Sequence, residues 1–354
     1  MEACLDINAM DEKENKKSSE LRLNVITGDW VVMAAGRSSR PEDFVITKKP
    51  KENNNAHCPF CHLESQEKPK LIYPKNKNNQ DTTKNWPDDW DVAVISNKYP
   101  AFTPGEVLNK RTIGPYQVMD GVGFQEVVIT RNHYLPVAKL PLGTVKRMID
   151  AYQERYLDLM NERLINYISI FQNHGYEAGA SIIHPHSQII AVPVFDPSLI
   201  DSIEGAKKYY QKHQQCGHCL RLKWDLKEKS RIIFENDKFV ALCPFASRTA
   251  FEIKIISKDH QPYFERIKDE DKWQLAQALK TSLGALYNAL NDPPYNFYIH
   301  TSPCDGKNYD YYHWHLTILP RTTRLAGFEF CTGIDVCTLD PEEAASILRK
   351  HRPL

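Results

Sequence analysis

The chain has 354 residues and carries 45 basic and 45 acidic side chains, so its formal net charge is zero. That balance excludes capture of nucleic acid or an anionic membrane by overall field, and any phosphate has to be recognised locally. Nine cysteines, no basic-then-apolar leader in "MEACLDINAMDEKENKK" and no apolar run of about 18 residues point to a soluble, reducing, cytoplasmic setting.

Residues 1–20 are polar and charged and read as a disordered tail, and "KNKNNQDTTKNWPDDW" at 75–90 reads as a loop insertion. Between them lies Cys58-Pro-Phe-Cys61. "GFQEVVIT" at 123–130 has strand character. From 144 to 172, Val145, Met148, Ile149, Tyr152, Tyr156 and Leu159, continued by Leu164, Tyr167, Ile168 and Phe171, keep the helical period and predict one long amphipathic helix. "SIIHPHSQIIAVP" at 181–193 then reads as a strand in which His184, His186 and Gln188 share a face. Three polar groups in a buried strand cost about 1–3 kcal/mol each unless they are satisfied, so either a ligand and a metal satisfy the row or the strand is not buried.

The second part of the chain repeats this order. Cys216-x-x-Cys219 is followed by the strand-like "AFEIKIIS" and by His260. A helix is predicted from about Lys272 to Leu290, with Leu275, Leu279, Leu283, Leu286 and Leu290 on one side, before Asn291-Asp292-Pro293-Pro294. "NFYIHTS" and "HWHLTILP" close the unit, the latter carrying His313-x-His315. The first half has the same sequence of landmarks: a cysteine pair, His133 after a strand, a helix, then His184-x-His186. The chain therefore reads as α+β with an internal duplication: residues 21–195 form one half and residues 196–354 a second.

Cys-x2-Cys turns present two thiolates to one ion, and sulfur with imidazole favours tetrahedral zinc. Two sites follow, Cys58, Cys61, His133 and His184 in the first half and Cys216, Cys219, His260 and His313 in the second, for two zinc ions per chain. His57, His62 and His218 adjoin the pairs as substitutes. With His184 held by metal, His186 is the free imidazole beside it and can act as a nucleophile toward phosphorus. Gln188 can donate to a phosphate oxygen without being an acid, which stabilises charge and leaves a covalent intermediate waiting for an acceptor. His315 is the counterpart of His186, but Trp314 replaces the proline and Thr317 the glutamine, so the second half is catalytically degenerate.

"HPHSQ" and the two CxxC pairs, together with "NVITGDWVVMAAGRSSRP", "VISNKYPAF", "FQNHGYEAGASIIHPHSQ" and "LAGFEF", resemble the galactose-1-phosphate uridylyltransferase branch of the histidine triad superfamily. The resemblance implies two histidine-triad-like halves with antiparallel sheets and packed helices, a homodimer, and a nucleotidylated histidine. It implies that Ser181 works beside His186 and Gln188 on the phosphates, that Arg40, Asn97, Asn173 and Gly179 contact the nucleotide, and that Glu329 lies near the sugar. Where family members use a lysine and a glutamine to hold a hexose, this chain has Thr323 and Asp335. Within the family the chain is most similar to the plant branch that cleaves ADP-glucose with phosphate. The expected substrates are therefore ADP-glucose with phosphate or a hexose 1-phosphate, and the alternative is transfer between UDP-glucose and a hexose 1-phosphate. A hydrolase of the superfamily would carry a third histidine where Gln188 stands, and a zinc-ribbon adaptor for nucleic acid would surround its cysteines with basic and aromatic residues. The third histidine is absent, "HCPFCHLESQEKPK" is only a weak match to such an adaptor and the zero net charge argues against it, so no nucleic-acid or membrane partner is expected.

Overall fold

The computed structural model of the chain describes residues 18–34, 44–45, 58–63, 66–74, 86–87, 89–323 and 326–353. Arg40, His57 and most of the expected tail lie outside the described residues. In chain order the strands of the first part are β1 (Glu20–Leu23), β2 (Trp30–Met33), β3 (Leu71–Pro74), β4 (Trp90–Ser96), β5 (Arg111–Ile113), β6 (Tyr116–Val118) and β7 (Phe124–Thr130). Helix α1 (Leu142–Leu159) follows, then β8 (Tyr167–His174), β9 (His186–Val192), α2 (Pro197–His213) and α3 (Gly217–Glu228). The rest comprises β10 (Ile232–Glu235), β11 (Phe239–Leu242), β12 (Ile253–Ser257), α4 (Asp269–Leu290), β13 (Tyr295–His300), β14 (His315–Pro320), α5 (Gly327–Thr332), β15 (Asp335–Cys337) and α6 (Pro341–Lys350).

Local chemistry sets several boundaries. Pro197 opens α2 with a φ already suited to a helix, and the Asp196 carboxylate accepts the Leu199 N–H at 3.0 Å. Three acids, Asp269, Glu270 and Asp271, fill the first turn of α4 and face its positive end, and Asn291 ends it in the left-handed region. One expected boundary moves: the helix predicted through 172 stops at Leu159, and Tyr167–His174 is strand. Leu164, Tyr167, Ile168 and Phe171 fit a helical period, but Ile168 and Ile170 also alternate with Ser169 and Phe171, and the β-branched pair packs into the sheet core. A second correction concerns β9, which starts at His186, so His184 belongs to the preceding loop rather than to the strand.

Ten strands form one antiparallel sheet in the order β10-β11-β12-β14-β13-β8-β9-β7-β4-β3. The order is that of a duplicated unit. Reading inward from either edge, each half supplies an antiparallel strand pair, a further strand, the strand that begins at the second histidine of its HxH motif, and a central strand. The two central strands, β8 and β13, pair antiparallel with Asn173 opposite Asn296 and Phe171 opposite Tyr298. Helices α1 and α4 pack together over one face, where Val145, Tyr152, Leu279 and Leu283 join Val128, Ile170, Ile189 and Ile255 in the main core. The other face carries the histidines. Strands β1 and β2 stand apart from the large sheet, and β2 pairs parallel with β15, which places Asp335 opposite Val31 and ties the beginning of the described chain to its end. Glu20, the last residue of the expected tail, opens β1.

Candidate active site and metal centres

The turn Cys58–Cys61 is closed by the Cys61 N–H donating to the Cys58 carbonyl at 3.1 Å, so both sulfurs point the same way. Cys61 Sγ lies 3.2 Å from His133 Nδ1 and 3.5 Å from His184 Nδ1, and Cys58 Sγ lies 3.6 Å from His184 Nδ1. In the second half Cys216 caps α3 and Cys219 sits in its first turn, where the helix dipole favours thiolates. Cys219 Sγ is 3.3 Å from His260 Nδ1 and 3.4 Å from His313 Nδ1. Within each group of four the donor atoms lie within 4.8 Å of one another. Ligand atoms around a tetrahedral zinc with bonds of about 2.0–2.3 Å stand about 3.3–3.8 Å apart, so both groups fit that ion.

Tautomers agree with this. His184 Nε2–H donates to the Thr130 carbonyl at 2.6 Å and His260 Nε2–H to the Asp310 carbonyl at 2.7 Å, leaving each Nδ1 lone pair for the centre. Burial pulls the His184 pKa down to about 4 and lowers that of His133, which keeps both imidazoles neutral. In the first pair, burial and the neighbouring Cys58 push the Cys61 thiol up to about 11. In the second, the hydrogen bond with Cys219 lowers the Cys216 thiol. Two thiolates this close need a cation between them to ionise together, which is what a bound metal supplies. His62 is exposed, and His218 is buried against Tyr312 and His315, with ring centroids 5.6 and 5.2 Å away.

His186 is 8% exposed at the head of β9, against Phe60 at 5.2 Å between ring centroids. Its Nδ1–H donates to the His184 carbonyl at 2.9 Å, which leaves the Nε2 lone pair outward. Burial lowers its pKa, so the imidazole is neutral and nucleophilic. Gln188 lies two residues on, half-buried on the same face, and its Oε1 accepts from Gln125 Nε2 at 2.9 Å. Gln125 in turn accepts the Ala101 N–H at 2.8 Å through Oε1. That chain fixes the amide orientation and leaves the Gln188 NH2 free to donate. The opposite face of β9 explains Ser187: its Oγ is 2.6 Å from the Tyr152 hydroxyl and bonds Gln172, deep in the core.

Asn173, at the end of β8, accepts from Asn296 Nδ2 at 2.8 Å, and the same nitrogen reaches the Ala178 carbonyl at 2.8 Å. These bonds hold the loop that carries Gly179 and Ser181. Gly175 at its start has φ 83°, and a Cβ there would sit 2.7 Å from Pro294 Cβ, so glycine is required. Asn97 lies where β4 leaves the sheet; its N–H donates to the Gln125 carbonyl at 2.9 Å and its side chain accepts the Tyr99 N–H. Asn97, Asn173, Gly179, Ser181, His186 and Gln188 thus sit on or beside β4, β7, β8 and β9. Glu329 is set apart on α5, where its carboxylate accepts the Ala326 N–H at 3.0 Å. Gln125 and Asn296, which bond Gln188 and Asn173, are partners that sequence reasoning missed. Gln125 shares a face with Val127 in "GFQEVVIT", and an amide in that apolar row is the one signal that could have found it.

In the second half His315 is 3% exposed, with His300 4.9 Å and Tyr312 6.5 Å away between centroids, and burial holds its pKa well below the usual range. Thr317 is buried beside it. No helix among the described residues is long and apolar enough to cross a membrane.

A family model described as galactose-1-phosphate uridyl transferase, N-terminal domain, matches residues 8–195, and a domain of unknown function, DUF4921, matches residues 121–351. An ADP-glucose phosphorylase of Arabidopsis thaliana is 34% identical over 348 residues, covering 96% of this chain and 95% of its own. A galactose-1-phosphate uridylyltransferase of Thermotoga maritima is 27% identical over 344 residues, covering 94% and 98%. Among solved structures, an ADP-glucose phosphorylase from Arabidopsis thaliana with bound ADP-glucose has a TM-score of 0.76 at 31% identity, covering 94% of this chain and 99% of that one. A uridylyltransferase structure has a TM-score of 0.71 at 27% identity, covering 94% and 98%.

Proposed function

Because the chain belongs to the galactose-1-phosphate uridyl transferase family, we propose that it transfers an adenylyl group from ADP-glucose to phosphate through a covalent bond to His186. The observation that carries the reading is the Nδ1–H bond of His186 to the His184 carbonyl, which presents a neutral Nε2 lone pair beside the free amide of Gln188.

In the first half-reaction Nε2 attacks the α-phosphorus in line, the bond to the glucose 1-phosphate oxygen breaks, and that group leaves as a dianion. The Gln188 NH2 donates to the phosphoryl oxygens as their charge grows. In the second half-reaction a phosphate oxygen attacks the same phosphorus, ADP forms, and the imidazole returns neutral. Ser181 and Gly179 contribute to the phosphate cradle, Arg40, Asn97 and Asn173 bind the nucleotide, and Glu329 lies near the sugar. The metal groups take zinc, two ions per chain. In the first half the zinc holds His184, and His186 leans on that residue's carbonyl; the second zinc is structural. Residues 21–195 are the catalytic half and 196–354 the degenerate one, and the enzyme works as a homodimer in the cytoplasm.

The hexose loop supports phosphate as acceptor. Asp335, standing where relatives have glutamine, is held by Arg248, whose Nε donates to Oδ2 at 2.6 Å, and Thr323 is exposed with a side chain too short to replace a lysine. A site that does not hydrogen-bond hexose hydroxyls discriminates poorly for them. Steady-state rates with ADP-glucose and UDP-glucose as donors, each against phosphate and galactose 1-phosphate, test the reading. The expected result is a preference for ADP-glucose with phosphate; a preference for UDP-glucose with galactose 1-phosphate would make the chain a uridylyltransferase.

A further inference from the structure

The duplicated sheet places equivalent residues in equivalent rows. Ile95, Val127 and Gln188 lie side by side across β4, β7 and β9, and Leu242, Lys254 and Thr317 across β11, β12 and β14. Asn97 follows the first row where β4 ends, and Pro244 and Phe245 follow the second where β11 ends. At that second position the structure has a cavity of about 600 Å³ between the end of β1, helix α3 and the Pro244–Ala246 turn. We propose that this cavity is a second, non-catalytic nucleotide site, taking a nucleoside phosphate with its base on Trp224 and its phosphate on Lys254 and Arg221.

Charge is the first support. Among the described residues Arg221, Lys223, Lys227, Arg231 and Lys254 line the cavity against one carboxylate, Asp225, in a chain whose net charge is zero. Arg231 is occupied by Asp225 and by Glu342 at 2.9 Å. Among the described residues the Arg221 side chain makes one hydrogen bond, to Asn24 Oδ1 at 3.1 Å, and that of Lys254 makes none. Burial drags the Lys254 pKa down to about 8, with Arg221 pushing in the same direction and only Glu252 and Asp29 opposing. An anion in the cavity would give this half-buried ammonium and the Arg221 guanidinium a charged partner.

Shape is the second. Trp224 is 57% exposed and Phe245 45%, large aromatic surfaces facing a cavity of the size that small ligands fill. Arg22 backs the Phe245 ring at 4.6 Å and fixes it as a wall, and Trp224 on α3 supplies the face for a base. No transfer can follow there, because Thr317 stands in the place of Gln188 and the enclosed His315 does not line the cavity.

The test is isothermal titration calorimetry of the full zinc-loaded chain with ADP, in the His186→Asn background so that nucleotide is bound and not consumed. Two binding events per chain are expected. Lys254→Met and, separately, Trp224→Ala should each weaken one of them at least tenfold and leave the other unchanged; Trp224 is exposed enough that its variant keeps the fold. Adenosine, which lacks phosphate, should fill only the first site. A single event per chain, two events untouched by both variants, or adenosine filling the second site as tightly as ADP would each overturn the proposal. Labelling of His186 by ADP-glucose in the Lys254→Met chain reports the transfer reaction separately, so the two readings fail independently.

Discussion

His186 and His184 are joined by one hydrogen bond, Nδ1–H to carbonyl oxygen at 2.9 Å, so the residue that offers a metal ligand also sets the tautomer of the proposed nucleophile. His186→Asn should take up no nucleotide from ADP-glucose by intact-protein mass spectrometry, whereas the parent gains one nucleoside monophosphate that is released by acid and stable in alkali. His184→Ala keeps the nucleophile but loses a ligand. It should lose one zinc ion and label far more slowly, and full-rate labelling by this variant would show that His186 does not depend on the centre.

Gln188→Ala should lower turnover by about 10²–10³-fold, the range for losing one preorganised donor. Gln125→Leu leaves Gln188 present but frees its Oε1, which Gln125 now holds at 2.9 Å. Its expected effect is smaller and falls on kcat rather than KM, since an amide free to flip presents its oxygen to the phosphate part of the time. Equal kinetics for Gln125→Leu and the parent would remove Gln125 from the positioning chain.

Elemental analysis of the purified chain should give two zinc ions, and Cys216→Ser should retain one. The loss should appear mainly as a lower unfolding midpoint, because a closed metal site contributes its binding free energy to the folded state. One ion in the parent would mean that one of the two cysteine-histidine groups stays empty.

Away from the site, Arg155 and Glu126 form a two-point ion pair at 2.7 and 2.8 Å between α1 and β7, with side chains 12% and 4% exposed. Arg155→Met strands a buried carboxylate and should cost about 3–5 kcal/mol in denaturant unfolding. Adding Glu126→Leu to that variant should recover much of the loss, and no recovery would place the damage in packing instead.

The pH dependence has a local source at the start of α4. Hydrogen bonds from Lys146 and Lys272 hold the Asp269 pKa down to about 2. A carboxyl depressed in the folded state stabilises it above the unfolded pKa of about 3.9 and loses that contribution as pH falls toward the folded value. Asp269→Asn should therefore remove part of the acid limb between about pH 4 and 2. Because the side chain is 73% exposed, the cost at neutral pH should stay below about 1 kcal/mol.

The two cysteine-histidine groups were legible because metal chemistry demands cysteine and histidine at short spacings, and the duplication repeats the pattern. The face shared by His186 and Gln188 followed from strand alternation, although His184 turned out to precede the strand. Residues 160–172 were misread because their apolar positions satisfy two periods at once, and only the pairing of β8 with β9 and β13 decides between them. The sequence reading assigned no element to 197–228, where mixed polar and apolar residues form α2 and α3. Gln125 was hidden for another reason: its partner is 63 residues away, and an amide in an apolar row marks an odd position without saying what it bonds. Glu329, placed by resemblance, lies on a helix that the large sheet does not carry.

The pairing of β8 with β13 also constrains how the chain is made. Until β13 leaves the ribosome, the completed first half exposes β8 as a bare edge with its backbone groups unpaired, a template on which another nascent chain can dock. The polypeptide must therefore keep this edge from strangers through the synthesis of more than a hundred further residues, and the risk of misassembly is concentrated in that interval.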